Sequence, residues 1–208
     1  MICVQTAKRS CKGVALCLTF SGFDSTAFKC VVFPHNSEAP VRTAFTEDEI
    51  TRIRRWFADE NTMLGDKAEM ETICYLALCA GLRLGDACCL RWSNVNLKDK
   101  VLELSPSKTL RYGRRISVPI SAELEPVLHR AMTWRGDSEY VVPHLAEKYG
   151  KNHSSISQDF TWVLKKLGIA TTMKITGMKT RVLKSFHSLR HTFVSRLASA
   201  GVSPLVIQ

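Results

Sequence analysis

Apolar residues recur at three- and four-residue steps in several stretches of this 208-residue chain, and those stretches predict helices. The first opens at Thr46-Glu47-Asp48-Glu49, a capping box in which a hydroxyl and a carboxylate each satisfy a free amide donor. It runs on through Ile50, Ile53, Trp56 and Phe57, and its acidic first turn suits the helix dipole. A second helix is predicted from Lys67 to Ala80, with Met70, Ile73, Cys74, Ala77 and Leu78 at helical spacing and Gly81 ending it. A short helix follows from about Leu84 to Leu90. Two β-rich runs, Val101–Leu104 and Arg115–Ile120, flank a polar connection containing Pro106 and Gly113 and read as a hairpin. Further helices are expected near 121–132, 155–167 (closed by Gly168) and 187–200 (closed by Gly201). Ser203-Pro204 is a good N-cap and N1 pair; Gln208 follows within one turn, which is not stable alone, so this end reads as severed. Residues 1–40 show no useful period and read as an irregular segment and linker of unassigned role. The implied fold class is mainly α with a small antiparallel β-sheet (α+β), over residues 41–208.

Charge adds a functional direction. The net charge is +10, and it is uneven along the chain. From Phe160 to Gln208 there are eight basic groups (Lys165, Lys166, Lys174, Lys179, Arg181, Lys184, Arg190, Arg196) and no acidic one. A one-signed stretch of that length attracts a polyanion, and nucleic acid is the expected partner; a solvated basic surface is the bland alternative. The eight cysteines form no C-x-x-C pair, and Cys88 and Cys89 are adjacent. That suits neither a zinc site nor a disulfide framework, so the expectation is a reducing cytoplasm with no metal and no cofactor. Lys8, Arg9 and Lys12 precede a short apolar run, Val14 to Phe20, but no small-residue cleavage site follows it. No apolar run approaches the length of a membrane helix.

Four positions carry candidate chemistry: Arg83 in Ala80-Gly-Leu-Arg-Leu-Gly-Asp86, Lys108 in the hairpin connection, and His187 with Arg190 in His187-Ser-Leu-Arg-His191. His187 and Arg190 are three apart at a helix start and share a face. Two converging arginines make a clamp for an oxyanion, because each guanidinium stays charged and offers forked donors. A lysine on a hairpin can protonate a leaving oxygen, and a histidine can accept or donate near neutrality. Together these meet the needs of metal-free phosphoryl transfer. Each residue also has a plain reading: Arg83 as a structural salt bridge to Asp86, Lys108 as solvated, His187 as a cap or core histidine, Arg114-Arg115 as surface charge.

The segment Leu76-Ala-Leu-Cys-Ala-Gly-Leu-Arg-Leu-Gly-Asp-Ala-Cys-Cys-Leu-Arg-Trp92-Ser-Asn-Val-Asn96 closely resembles the first conserved box of the tyrosine recombinase (phage integrase) family. Phe186-His-Ser-Leu-Arg-His-Thr-Phe-Val-Ser-Arg-Leu-Ala-Ser-Ala-Gly-Val202 is similar to the second box, and Ser107-Lys-Thr109 with Arg115–Ile120 resembles the β-hairpin between them. The resemblance covers about Val41 to Gln208. It implies that Arg83 and Arg190 clamp a scissile DNA phosphate, that Lys108 is the general acid for the 5′-hydroxyl, and that His187 assists proton transfer. Asp86 would brace Arg83, and His191 would support the helix. Arg111, Arg114, Arg115, Lys179 and Lys184 are expected DNA contacts. The partners implied are double-stranded DNA and, for a complete protein, sister subunits in a tetramer.

In the family a tyrosine beyond the second box forms the 3′-phosphotyrosyl link. Here Tyr75, Tyr112, Tyr140 and Tyr149 all precede that box. The expectation is therefore a catalytic domain lacking its C-terminal helices and nucleophile, and inactive alone. A non-catalytic DNA-binding remnant or decoy of the same fold is the alternative, and a type IB topoisomerase is a third reading.

Overall fold

A computed structural model describes residues 42–61, 64–105, 116–174 and 180–202. The capping box forms as expected. Thr46 Oγ1 accepts from Glu49 N–H at 3.2 Å, and Glu49 Oε2 accepts from Thr46 N–H at 2.8 Å. It opens α1 (Glu47–Ala58), which buries Ile50, Ile53 and Phe57 on one side. After it comes α2 (Lys67–Cys79), whose Met70, Ile73, Leu76 and Ala77 are almost fully buried. Burying each larger aliphatic side chain contributes about 1.5–3 kcal/mol, so α2 is the axis on which the other elements pack.

Gly81 ends α2 with a left-handed backbone, φ +65°, a conformation that penalises any Cβ. Packing adds a second reason: a Cβ there would lie 2.5 Å from the Phe193 ring. The chain then enters the short α3 (Leu84–Cys88) and a 3₁₀ turn at Trp92–Asn94. The expected hairpin is present as β2 (Val101–Leu104) and β3 (Ile116–Pro119), paired antiparallel with Leu102 opposite Val118. A third strand, β1 (Val95–Asn96), adds to the β2 edge. The connection carrying Pro106 and Gly113 lies outside the described residues.

Helix α4 (Glu125–Ala131) continues into a 3₁₀ turn at Met132–Trp134. Helix α5 (Pro143–Lys151) was not expected from the sequence. Its first turn is held from far away: the buried Glu69 carboxylate accepts from His144 N–H at 3.2 Å, Leu145 N–H at 2.8 Å and contacts His144 Nδ1 at 2.8 Å. An anion at a helix start satisfies donors that the helix itself cannot. Then follow α6 (Ser155–Lys166), a two-residue ladder between β4 (Thr172–Met173) and β5 (Arg181–Val182), and α7 (Phe186–Ser199). The β4–β5 ladder is a second small sheet that no run of alternation announced. An edge-to-face series, Phe45–Phe160 at 6.4 Å and Phe160–Phe186 at 5.5 Å, ties the lead into α1 to α6 and α7. The fold is thus mainly helical with small antiparallel sheets. The Ser203-Pro204 cap lies outside the described residues.

Candidate active site

The site is built where α7 crosses the end of α2. Ser185 caps α7 in a reciprocal box with Ser188, which fixes the first turn carrying His187 and Arg190. Phe193, one turn on, lies against Gly81, and the Arg190 guanidinium donates through Nη1 to the Gly81 carbonyl. The glycine therefore sets both the turn and the distance between helices. Two residues later Arg83 sits at the N-cap of α3 in extended backbone, φ −75° and ψ 157°. It approaches Asp86 at 3.8 Å, with the aspartate largely covered and the arginine over a third exposed. The Arg83–Asp86 pair thus leaves the guanidinium partly open to solvent.

The two arginines act on each other electrostatically. Burial and then the Arg83 charge press the Arg190 guanidinium below its ordinary value, with Asp86 acting in the opposite sense. It stays a cation at any pH of interest. The His187 ring is pushed down by burial and then by His191, Arg42, Arg190 and Arg83. His191 is pushed down by burial, Arg42 and Arg190. The two rings meet edge to face at 4.8 Å. Both imidazoles are therefore neutral near pH 7, each able to donate through one nitrogen and accept through the other.

The structure brings Arg83, Asp86, His187, Arg190 and His191 together. Lys108, Arg111, Arg114, Arg115 and Lys179 lie outside the described residues. Lys184, expected as a DNA contact, is engaged within the fold. Its side chain is only 13% exposed, and its ammonium bonds the Glu49 carboxylate. That partner comes from α1, 135 residues away, so the acid-free stretch around Lys184 gave no sign of it. Three tyrosines are also accounted for. Tyr75 lies under Arg54, Tyr140 under Arg91, and the Tyr149 hydroxyl occupies the space beside Gly85. The electrostatic neighbours of Tyr149 are Cys88, Cys89 and Asp86, and not the arginines. Sequence reasoning missed Arg42, whose charge reaches both histidines; it precedes the Thr46 cap, with no motif around it. Among the described residues no cluster of histidine, cysteine and carboxylate side chains is placed to hold a metal, and no helix is long and apolar enough to cross a membrane.

Comparison with known proteins gives the family and the fold. Residues 44–208 match the phage integrase family. The chain is 28% identical over 193 residues to tyrosine recombinase XerA of Pyrococcus horikoshii, covering 91% of this chain and 58% of that protein. It is 27% identical over 164 residues to a tyrosine recombinase of Thermosipho africanus, covering 78% of this chain and 50% of that one. The chain spans little more than half the length of these curated relatives. Its fold is similar to a lambda integrase (residues 75–356) dimer bound to a COC′ core site, with a TM-score of 0.64, 19% identity, and coverage of 97% and 68%. It is also similar to a lambda integrase tetramer bound to a Holliday junction, with a TM-score of 0.59, 18% identity, and coverage of 95% and 54%.

Proposed function

The chain belongs to the phage integrase family, with the catalytic-domain fold of a site-specific tyrosine recombinase, and from that premise we propose that Arg83, Arg190 and His187 hold a backbone phosphate of duplex DNA for strand transfer. The observation that carries this reading is the convergence of two arginines across Gly81, one from the turn after α2 and one from α7. When a tyrosine oxygen attacks the phosphorus, the P–O5′ bond breaks and negative charge builds on the phosphoryl oxygens. Two fixed guanidiniums stabilise that charge without a metal. The departing 5′-oxygen needs a proton, and Lys108 is the assigned donor. His187, neutral and half-buried, bonds the phosphate and moves a proton at its free nitrogen. Asp86 orients Arg83, and His191 backs His187.

The attacking tyrosine is assigned to none of the four in this sequence, all of which precede the second box; Tyr112 lies outside the described residues. Tyr75 and Tyr140 are engaged by arginines outside the site, and Tyr149 faces the thiols and Asp86. These 208 residues then bind and orient a phosphate without cutting it, and a tyrosine from outside them completes the reaction. The partners assigned are duplex DNA and sister subunits of the same protein. The dimer and tetramer of lambda integrase on DNA support that assignment by fold. A non-catalytic DNA-binding role is the second reading, favoured by the surroundings of Tyr75, Tyr140 and Tyr149.

Anisotropy of a labelled duplex separates the two. Under the clamp reading, affinity falls steeply between about 50 and 200 mM salt. Arg83→Ala with Arg190→Ala then weakens binding by roughly ten-fold or more, as loss of charged hydrogen bonds predicts. Salt-independent binding would end the phosphate-contact reading. Binding that survives the double substitution intact would favour a basic surface remote from the arginines.

A further inference from the structure

Arg42 is tied into the site by its neighbours in the chain. Thr43 N–H donates to Leu183 O at 3.0 Å, beside the end of β5. Phe45 N–H donates at 2.8 Å to Thr192 Oγ1, which itself donates to Ser188 O at 2.9 Å. Phe45 is therefore pinned to α7 at Thr192, the residue that directly follows His191, and Thr43 to Leu183 just ahead of that helix. The Arg42 side chain starts from this anchored backbone and is exposed. Its charge acts on both rings. Among the described residues no carboxylate pairs with it, whereas Lys184 and Arg196 each have one.

The charges of the cluster do not balance. Arg42, Arg83 and Arg190 stand around two neutral imidazoles, with Asp86 as the acid among the site's charged groups. Among the described residues, three guanidiniums against one carboxylate leave an excess of two positive charges. Gathering like charges is costly unless an anion joins them. A phosphodiester carries one negative charge, so a single phosphate held by Arg83 and Arg190 leaves one positive charge unmatched.

We propose that Arg42, with the outer edge of His191, binds a second backbone phosphate of the same DNA strand, adjacent to the one in the Arg83–Arg190 clamp. This rests on the reading that the clamp holds a DNA phosphate. Arg42 is a binding residue in this assignment and takes no part in proton transfer. It extends the site from a point contact to a grip on the strand direction, because two successive phosphates define a line where one does not.

The test uses the 208-residue chain, a labelled duplex, and the variants Arg42→Ala, Arg42→Lys and Arg83→Ala with Arg190→Ala. Arg42→Ala should weaken binding roughly five- to twenty-fold at low salt and lower the slope of log affinity against log salt by about one. Arg42→Lys should keep the slope while losing part of the affinity, because it keeps the charge without the fork. Ring-proton titration of the free Arg42→Ala variant should show His187 and His191 titrating higher, since a positive neighbour is gone. An exposed side chain leaves the thermal melt unchanged. If the clamp variant loses binding and Arg42→Ala keeps the wild-type slope, the second-phosphate assignment is overturned and the clamp survives. If the clamp variant binds like wild type, the underlying reading fails, and this one with it. A reduced slope with both histidines unmoved would place Arg42 away from the pair and also overturn the assignment.

Discussion

Lys184 and Arg196 lie in the same acid-free stretch as His187 and Arg190, yet the fold treats the two sets in opposite ways. Lys184 is covered and bonds Glu49, and Arg196 bonds both oxygens of Glu47 at 3.0 and 2.6 Å. Both carboxylates come from the first turns of α1. On the same helix as Arg196, Arg190 instead meets a backbone carbonyl and faces a second arginine. Among the described residues, two of the basic groups of that stretch are thus paired with carboxylates from α1, while Arg190 keeps its place beside Arg83. A basic run in sequence marks where cations are, and the tertiary fold decides which of them remain available to an anion.

The harshest way to break the comparison is to destroy the site side of it. Gly81→Ala adds a Cβ 2.5 Å from the Phe193 ring at a φ of +65°. Backbone strain and overpacking together should cost roughly 2–5 kcal/mol. Urea unfolding measures the loss, and duplex affinity should fall with it because the turn presenting Arg83 is displaced. A wild-type midpoint would mean the ring moves aside freely.

Next is the neutralised side. Lys184→Met leaves Glu49 largely covered without its cation, and breaking such a pair costs about 3 kcal/mol. Because Lys184 is assigned to Glu49 and not to DNA, the salt slope of duplex binding should stay as it was. A slope reduced by about one would restore Lys184 as a phosphate contact.

Acid should pull the two sides apart. The folded-state values of His187 and His191 lie below that of ordinary imidazole, so the unfolded chain takes up protons first. Their contribution is fully present above the ordinary imidazole range and is lost as pH falls through it towards the lowered folded values. Glu49 is held below the ordinary carboxylate value despite burial, by Lys184 and the capping bonds of Thr46. It adds a second loss at lower pH, as the medium falls through its depressed folded value. DNA binding should run the other way above pH 5. A bound phosphate favours imidazolium, so affinity should rise as pH falls, and His187→Asn with His191→Asn should flatten that rise. An affinity independent of pH between about 5.5 and 8 would remove the histidines from the phosphate contact.

The smallest effect sharpens the comparison. Glu47→Gln frees the half-buried Arg196, and loss of one such pair near the surface costs under about 1 kcal/mol. Duplex affinity should rise slightly, within about three-fold, as one more cation becomes available. A fall in affinity would show that the pair holds α7 in place.

Much of this was legible in local sequence. The capping box at Thr46, the burial of α2, the break at Gly81 and the hairpin strands are each written within a few neighbouring residues, because caps, helical period and left-handed turns are short-range physics. The residue types at Arg83, His187 and Arg190 were legible for the same reason, being set in compact motifs. The fold alone decided what crosses the chain. Helix α5 is capped by Glu69, some 75 residues upstream, and β1, β4 and β5 are two residues each, too short to carry a period. Glu49 claims Lys184 across 135 residues, and Glu47 claims Arg196 across 149. Arg42 reaches the histidines only because Phe45 and Thr43 are bonded to α7 and to Leu183. Periodicity and motif record how a residue sits on its own element. Which opposite charge it meets depends on the packing of elements distant in sequence, and that fixed which cations of this chain are left for an anion.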